Sequence, residues 1–162
     1  MENLASTLIP HQGCTLRRNK DGDIEIWGAG QNWIMAAAVL PQVWRAPFIF
    51  RIVGKTDSTN LRMYWHMGEL IFNWECNVRE LRTHDPADGS GHGFKEKGFI
   101  APGEWHTILW HIRPDGMTVT VDDALRHEAS GDYKDIESAP SVGPCFGSTV
   151  TIREFSIYRP PG

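Results

Sequence analysis

Hydrophobic and polar residues alternate with a period of two along most of the chain, and Gly, Pro, Asn and Asp interrupt the alternation at short intervals. This pattern is typical of half-buried strands joined by tight turns. It predicts strands over residues 14–18, 23–27, 33–40, 48–53, 61–67, 69–75, 77–83, 105–113, 117–122 and 149–158. Residues 33–40 include MAAA, which favours helix, but Pro41 ends the segment and we interpret it as a buried strand.

The alternation also assigns side chains to faces, since successive residues of a strand point to opposite sides of a sheet. In the last strand the pattern breaks near Arg153 and Glu154, which predicts a β-bulge. The predicted core consists of Phe48, Phe50, Leu61, Met63, Leu70, Phe72, Ile108, Trp110, Ile112, Val119, Val121, Ile152 and Ile157.

About ten short strands with no convincing amphipathic helix predict an all-β fold, and specifically an antiparallel two-sheet β-sandwich of the jelly-roll kind. The chain has 162 residues, within the roughly 100–200 residues usual for one domain. We therefore expect residues 1–162 to form a single β-sandwich domain.

The C-terminal half carries a family resemblance. GEWHTILWHIRPDGMTVTVDD and DYKDIESAPSVGPCFGSTVTIREFSIYRP resemble the closing strands of concanavalin A-like lectin and glucanase domains, which include laminin-G-like modules and relatives of 3-keto-disaccharide hydrolases. The matching positions are Gly103, Trp105, Asp115, Gly116, Asp122, Gly147, Ile152, Phe155 and Ile157. The resemblance covers residues 47–159 and implies a jelly roll that binds a glycan on the concave face of one sheet.

Strand alternation supplies candidates for such a glycan site. Leu61, Met63 and Trp65 share one face, so Arg62, Tyr64 and His66 share the other. Gly68 turns the chain back, which can place two more polar residues opposite them. The predicted ligand-binding residues are Arg51, Arg62, Tyr64, His66, Asn73, Glu75, Arg79 and His111. Their mixture of donors, acceptors and an aromatic ring suits a sugar, so the leading prediction is a lectin-like module that binds a glycan or small saccharide.

The alternative prediction is a sugar-processing enzyme, either a glycoside hydrolase or a polysaccharide lyase, that uses Glu75 with His66 or Tyr64. A retaining hydrolase needs two carboxylates about 5–5.5 Å apart, and Glu75 is the one good candidate. CNVRELR at residues 76–82 is similar to the N-x-R strand of galectins and the R-x-E-L-R of alginate lyases. Neither match is complete, but this segment adds Arg79 to the candidates.

No cofactor is predicted. The loop HDPADGSGH offers Asp85 and Asp88 as weak candidates for a structural calcium ion, because loop oxygens suit calcium, but it lacks the D-x-D-x-D-G spacing. Three cysteines without a CxxC motif indicate free thiols, with one bridge and one leftover thiol as the alternative. The bias of large aromatics toward burial predicts that about five of the tryptophans lie in the core.

Charge and hydropathy exclude several partners. Twenty acidic residues against sixteen basic ones leave a net charge of −4, which disfavours nucleic acid, because that binding draws on clustered cations. No apolar run reaches the roughly 20 residues of a membrane helix. The N-terminus lacks the pattern of a signal peptide, so we expect either a cytoplasmic protein or one whose leader was removed. The sequence does not indicate an oligomeric state.

Overall fold

The computed structural model describes residues 1–11, 13–28 and 36–161. Within these residues the protein is all-β, with sixteen strands and a single 3₁₀ turn at Ala5–Thr7. The strands are β1 Ile9–His11, β2 Cys14–Arg18, β3 Ile24–Gly28, β4 Ala37–Val39, β5 Trp44–Arg45, β6 Phe48–Thr56, β7 Leu61–Trp65, β8 Gly68–Phe72, β9 Leu81–His84, β10 Gly91–Phe94, β11 His106–Arg113, β12 Gly116–Val121, β13 Ala124–Ser130, β14 Glu137–Ser138, β15 Ser141–Pro144 and β16 Val150–Tyr158.

The strands form two seven-stranded antiparallel sheets. The first sheet has the order β1-β4-β15-β7-β8-β9-β10, and the second has the order β13-β12-β11-β6-β16-β3-β2. Strands β14 and β5 pair separately. Each sheet mixes strands that are far apart in sequence, as a two-sheet sandwich requires. The predicted antiparallel β-sandwich is confirmed.

The core lies between the two sheets. Every residue of the predicted core is buried, and the aromatic rings of Phe50, Trp110 and Phe155 lie close together within it. Phe50 and Trp110 stack with ring centroids 6.3 Å apart. The predicted bulge is also confirmed, because the register between β16 and β6 shifts between Ile152 and Glu154.

Two predicted strands end differently in the structure. The strand predicted over 69–75 stops at Phe72, because Asn73 adopts a φ of 52°, which takes the chain out of the extended conformation. The strand predicted over 77–83 is instead a turn followed by β9 at Leu81–His84. Of the strand predicted over 33–40, residues 33–35 lie outside the described residues, and Ala37–Val39 form β4.

The sequence pattern missed several strands. One is β15, Ser141–Pro144, which contains Gly143 and a proline, residues that usually mark turns. Another is β10, Gly91–Phe94, which falls inside a segment predicted as loop. Both are strands because of their partners: β15 lies between β4 and β7, and β10 pairs with β9.

The prediction that five tryptophans are in the core was wrong. Of the six described tryptophans, Trp65 and Trp110 are fully buried. The other four are half-buried, and each of their rings lies near an arginine or lysine: Trp27, Trp44, Trp74 and Trp105. Half-exposed aromatic rings with a cation at the face occur on both sheets.

The three cysteines, all of them described, form no disulfide. Among the described residues, no helix is long and apolar enough to cross a bilayer.

Candidate functional site

A cluster of charged and polar side chains lies on the outward face of the first sheet, on strands β7 to β9 and the turn after β8. We call it the Arg62 cluster, and its members are Arg62, Tyr64, Glu69, Glu75 and His84. Register brings three of them together: Tyr64 pairs with Glu69 across the β7–β8 hairpin, and Glu69 pairs with His84 on β9. Their neighbours along each strand, such as Met63 and Leu70, belong to the core, so the cluster faces away from it.

Arg62 is the centre of the cluster. Its Nε donates to Asn60 Oδ1 at 2.8 Å, its Nη1 to Glu69 Oε2 at 3.2 Å and its Nη2 to Glu75 Oε1 at 3.0 Å. The residue is only 6% exposed. Burial opposes the charged form and is the largest single effect, but the charge interactions with Glu69, Tyr64, Cys145 and Glu75 together outweigh it, so the pKa of Arg62 is raised. The guanidinium therefore stays charged and holds two carboxylates in fixed positions.

Glu75 reaches the cluster from a turn. Asn73 ends β8 and its side chain fixes the chain direction: Nδ2 donates to Ser58 O at 3.1 Å and Ile100 O at 2.8 Å, while Oδ1 accepts from the Ile100 N–H. The amide of Asn73 is thereby fully used and 1% exposed. The expectation that Asn73 joins the polar patch was wrong, because its side chain braces the loops on either side.

Three polar atoms of the Arg62 cluster are buried without a hydrogen-bond partner among the described residues: Tyr64 Oη, Glu75 Oε2 and His84 Nδ1. His84 Nδ1 is 2.9 Å from Glu69 Oε1, but the contact does not have the geometry of a hydrogen bond. Burial, and next the charge of Glu69, raise the pKa of Tyr64, so its hydroxyl keeps its proton. Each unmet atom costs about 1–3 kcal/mol, a cost that a ligand hydroxyl would relieve where the surrounding side chains move apart to admit it.

The face continues from the Arg62 cluster toward the edge strand β10. The Arg82 guanidinium lies 5.4 Å from the centre of the half-buried Trp74 ring. On β10, Gly91 and Gly93 leave room for side chains of β9 and its preceding turn: a Cβ on Gly91 would meet Arg82, and one on Gly93 would meet the Glu80 carboxylate. An aromatic ring, a second guanidinium and a third carboxylate thus border the cluster.

Two predicted site residues lie on the other sheet. Arg51 is in β6 and His111 is in β11, so the expectation that they extend the face of Arg62 was wrong. Period-two alternation gives the face of a strand but not the sheet that the strand joins. Arg51 Nη1 donates to Glu154 Oε2 at 2.5 Å. Burial, and next the charge of Arg113, lower the pKa of His111.

Two further candidates lie outside the cluster. His66 is exposed in the β7–β8 turn with a φ of 56°, where its side chain leaves the alternation that predicted its face. Arg79 is exposed and its Nε donates to Glu96 Oε2 at 2.7 Å. The pairing of Glu75 with His66 is replaced by the pairing of Glu75 with Arg62.

The weak calcium candidates are engaged in the loop itself. Asp85 Oδ1 accepts from the Ala87 N–H at 2.8 Å, and Asp85 Oδ2 accepts from the Tyr133 hydroxyl at 2.8 Å. Asp88 Oδ1 accepts from the Ser90 N–H, and this bond lowers the pKa of Asp88. Within the described residues, no group of three or more His, Cys, Asp or Glu side chains is placed to hold a metal ion.

Sequence reasoning missed Glu69, His84, Arg82 and Trp74 as site residues. The signal for Glu69 was present, since it alternates with the inward Leu70 opposite Tyr64. Arg82 and His84 could not be placed in the same way, because the predicted strand over 77–83 begins four residues before the start of β9.

Neither protein-family models nor curated proteins match the sequence. Among solved structures, the carbohydrate-binding module CBM66 from Bacillus subtilis is similar, with a TM-score of 0.66, 9% identity and coverage of 91% of this chain and 94% of that one. The Bacillus licheniformis β-glucanase gives a TM-score of 0.66 at 12% identity over 93% and 86% of the two chains. The carbohydrate recognition domain of Emp47p gives 0.61 at 10% identity over 99% and 91%.

At these identities the likeness establishes the fold. The chain shares the two-sheet jelly-roll fold of these structures, the fold that the resemblance of its closing strands implied.

Proposed function

We propose that this protein is a carbohydrate-binding module and that its ligand contacts the Arg62 cluster. The observation that carries the proposal is the set of three buried polar atoms, on Tyr64, Glu75 and His84, that have no well-formed hydrogen bond within the described part of the chain. A sugar hydroxyl both donates and accepts, so one kind of group can satisfy a phenol, a carboxylate and an imidazole. The half-buried Trp74 and its neighbour Arg82 add the apolar surface and planar donors that a saccharide ring uses.

The fold supports the same ligand class. The similar structures include a module and a recognition domain whose titles name carbohydrate, together with a β-glucanase. Fold alone does not assign function, so the proposal depends on the Arg62 cluster and the fold is secondary support.

Binding fits the cluster better than turnover does. A retaining hydrolase needs one carboxyl to give a proton and a second to attack the sugar. Glu69 and Glu75 instead both accept hydrogen bonds from Arg62, so one oxygen of each carboxylate is held by the same guanidinium. The enzyme remains the second candidate because these are two carboxylates on one face, and the experiment below includes turnover.

The test is a glycan array of glucose-, mannose-, galactose-, fructose- and uronate-containing oligosaccharides, followed by calorimetry with the strongest probe. Glu75→Gln keeps the shape and the contact with Arg62 but removes the charge. Hydrogen bonds to charged groups contribute about 1.5–3 kcal/mol, so we expect at least a tenfold loss of affinity. Glu96→Gln is the matched control, because Glu96 is an exposed glutamate that also pairs with an arginine, and it should bind like the wild type.

Two results would contradict the proposal. One is the absence of binding to every probe at millimolar concentration. The other is normal binding by Glu75→Gln. If a probe is cleaved by the wild type and not by Glu75→Gln while binding persists, the sugar-processing enzyme replaces the binding module.

A further inference from the structure

A row of polar side chains crosses four neighbouring strands on the outward face of the second sheet. Thr151 of β16 pairs with Lys55 of β6 on one side and with Glu25 of β3 on the other. Glu25 in turn pairs with Arg17 of β2. Directly opposite side chains lie about 5 Å apart, so the row alternates a cation, a hydroxyl, a carboxylate and a second cation.

A cavity of about 540 Å³ lies over this row. We call it the Trp27 cavity. Besides the row, it is lined by Trp27, Asp57, Thr149 and the backbone at Gly103, with Thr56 at its base. Small-molecule sites in proteins commonly measure about 300–1,000 Å³, so the space suits a small ligand. The cavity is on the opposite sheet from the Arg62 cluster.

Much of the bonding capacity in this cavity is unused. Arg17 is paired with Glu25 at 2.5 Å, and Asp57 Oδ1 accepts from the Thr149 N–H. Among the described residues, Lys55 has no carboxylate partner and lies 4.6 Å from the centre of the Trp105 ring. The hydroxyls of Thr149 and Thr151 likewise have no hydrogen-bond partner in the described part of the chain.

This lining selects the chemical class of ligand. A lipid or aromatic ligand would cover the charges of Arg17, Glu25 and Lys55 without forming hydrogen bonds to them, which is costly. A polyphosphate would be attracted by the cations but repelled by the carboxylates of Glu25 and Asp57 beside them. A neutral ring with several hydroxyls suits both signs, because each hydroxyl donates and accepts. The Trp27 ring has the Arg17 guanidinium 5.4 Å from its centre and offers the rest of its indole surface to the C–H groups of the sugar. We infer that the Trp27 cavity is a second saccharide-binding site, on the face of the sandwich opposite the Arg62 cluster.

The test is an NMR titration of the ¹⁵N-labelled protein with cellotetraose, laminaritetraose and mannotetraose, read at the indole N–H of Trp27. Probe concentrations reach about 10 mM, since weak sugar sites bind in the micromolar to millimolar range. We expect at least one probe to shift this resonance in a saturable way. Thr151→Val removes one hydroxyl at nearly constant shape, and the loss of one hydrogen bond predicts about a fivefold weaker affinity. Thr118→Val, on the same outward face in β12, is the matched control.

Each outcome separates the two sites. A Trp27 shift that persists in Glu75→Gln and weakens in Thr151→Val supports the second site, even if the Arg62 cluster binds nothing. If none of the three probes shifts Trp27, or if Thr151→Val and Thr118→Val bind alike, the Trp27 cavity is not a saccharide site. That result would not bear on the Arg62 cluster, which is tested separately by the glycan array and Glu75→Gln.

Discussion

Replacing Arg62 with alanine should destabilise the protein strongly, although Arg62 is on an outward face of a sheet. The change removes three hydrogen bonds, to Asn60, Glu69 and Glu75, and leaves the Glu69 side chain, which is 11% exposed, without its cationic partner. Breaking a buried ion pair by deleting one member costs about 3–5 kcal/mol. For a chain of this length each kcal/mol lowers Tm by about 2–4 °C, so Tm should fall by about 6–20 °C.

The assay is thermal and urea unfolding followed by circular dichroism. Arg79→Ala is the control, because Arg79 also pairs with a glutamate but both partners are largely exposed, at 65% and 62%. Exposed pairs contribute little, so Tm should barely change. If the penalty arises from unpaired carboxylates, adding Glu69→Gln to Arg62→Ala should restore part of the stability.

The reasoning fails if Arg62→Ala and Arg79→Ala lower Tm by the same amount, or if Glu69→Gln rescues nothing. Either result would mean that the Arg62 cluster is solvated and that its hydrogen bonds are replaced by water. This prediction also changes how the site must be tested. A loss of glycan binding in Arg62→Ala would be confounded by unfolding, so Glu75→Gln is the better probe of the site.

Three further predictions concern the core, the pH dependence and one glycine. Ile108→Asp should prevent folding because it buries an unpaired carboxylate. Thr120→Asp, on the outward face, should leave the circular dichroism spectrum of the folded protein nearly unchanged, and equal effects of the two variants would mean a wrong strand register. Burial lowers the pKa of His127 in the folded state, so below about pH 6.5 the unfolded state binds more protons and stability should fall as the pH drops. In urea unfolding between pH 8 and pH 5, His127→Gln should make the midpoint less dependent on pH. Gly98→Ala should lower Tm, because its Cβ would collide with the backbone carbonyl of Glu80, and an unchanged Tm would contradict that close approach.

The fold was largely predictable because alternation is local information. Residues 61–65 show it clearly: three apolar side chains at every second position gave the core face of β7 and, by exclusion, the outward position of Arg62 and Tyr64. The bulge near Arg153 was visible for the same reason, as a break in period.

The candidate site was predictable only in part, because its assembly depends on backbone conformation and on strand order. Asn73 adopts a positive φ, and this single angle takes Glu75 off the strand and over Arg62. Arg51 has the expected alternation in β6, but β6 joins the second sheet, which no local pattern reveals. His84 joins the site because β9 pairs with β8 in a register that places it beside Glu69.

The glycines of β10 have a consequence for how this surface could change its selectivity. The space above Gly91 is filled by the ends of the Arg82 and His84 side chains, and the space above Gly93 by the Glu80 carboxylate, with no backbone atom among the nearest neighbours. A methyl group at either position would therefore push aside a charged side chain while leaving the sheet intact. A small substitution at Gly93 would reshape the border of the face without touching any member of the Arg62 cluster, whereas one at Gly91 would also press on His84. Position 93 is therefore where new ligand preferences could arise, in evolution or in the laboratory, at little cost to folding.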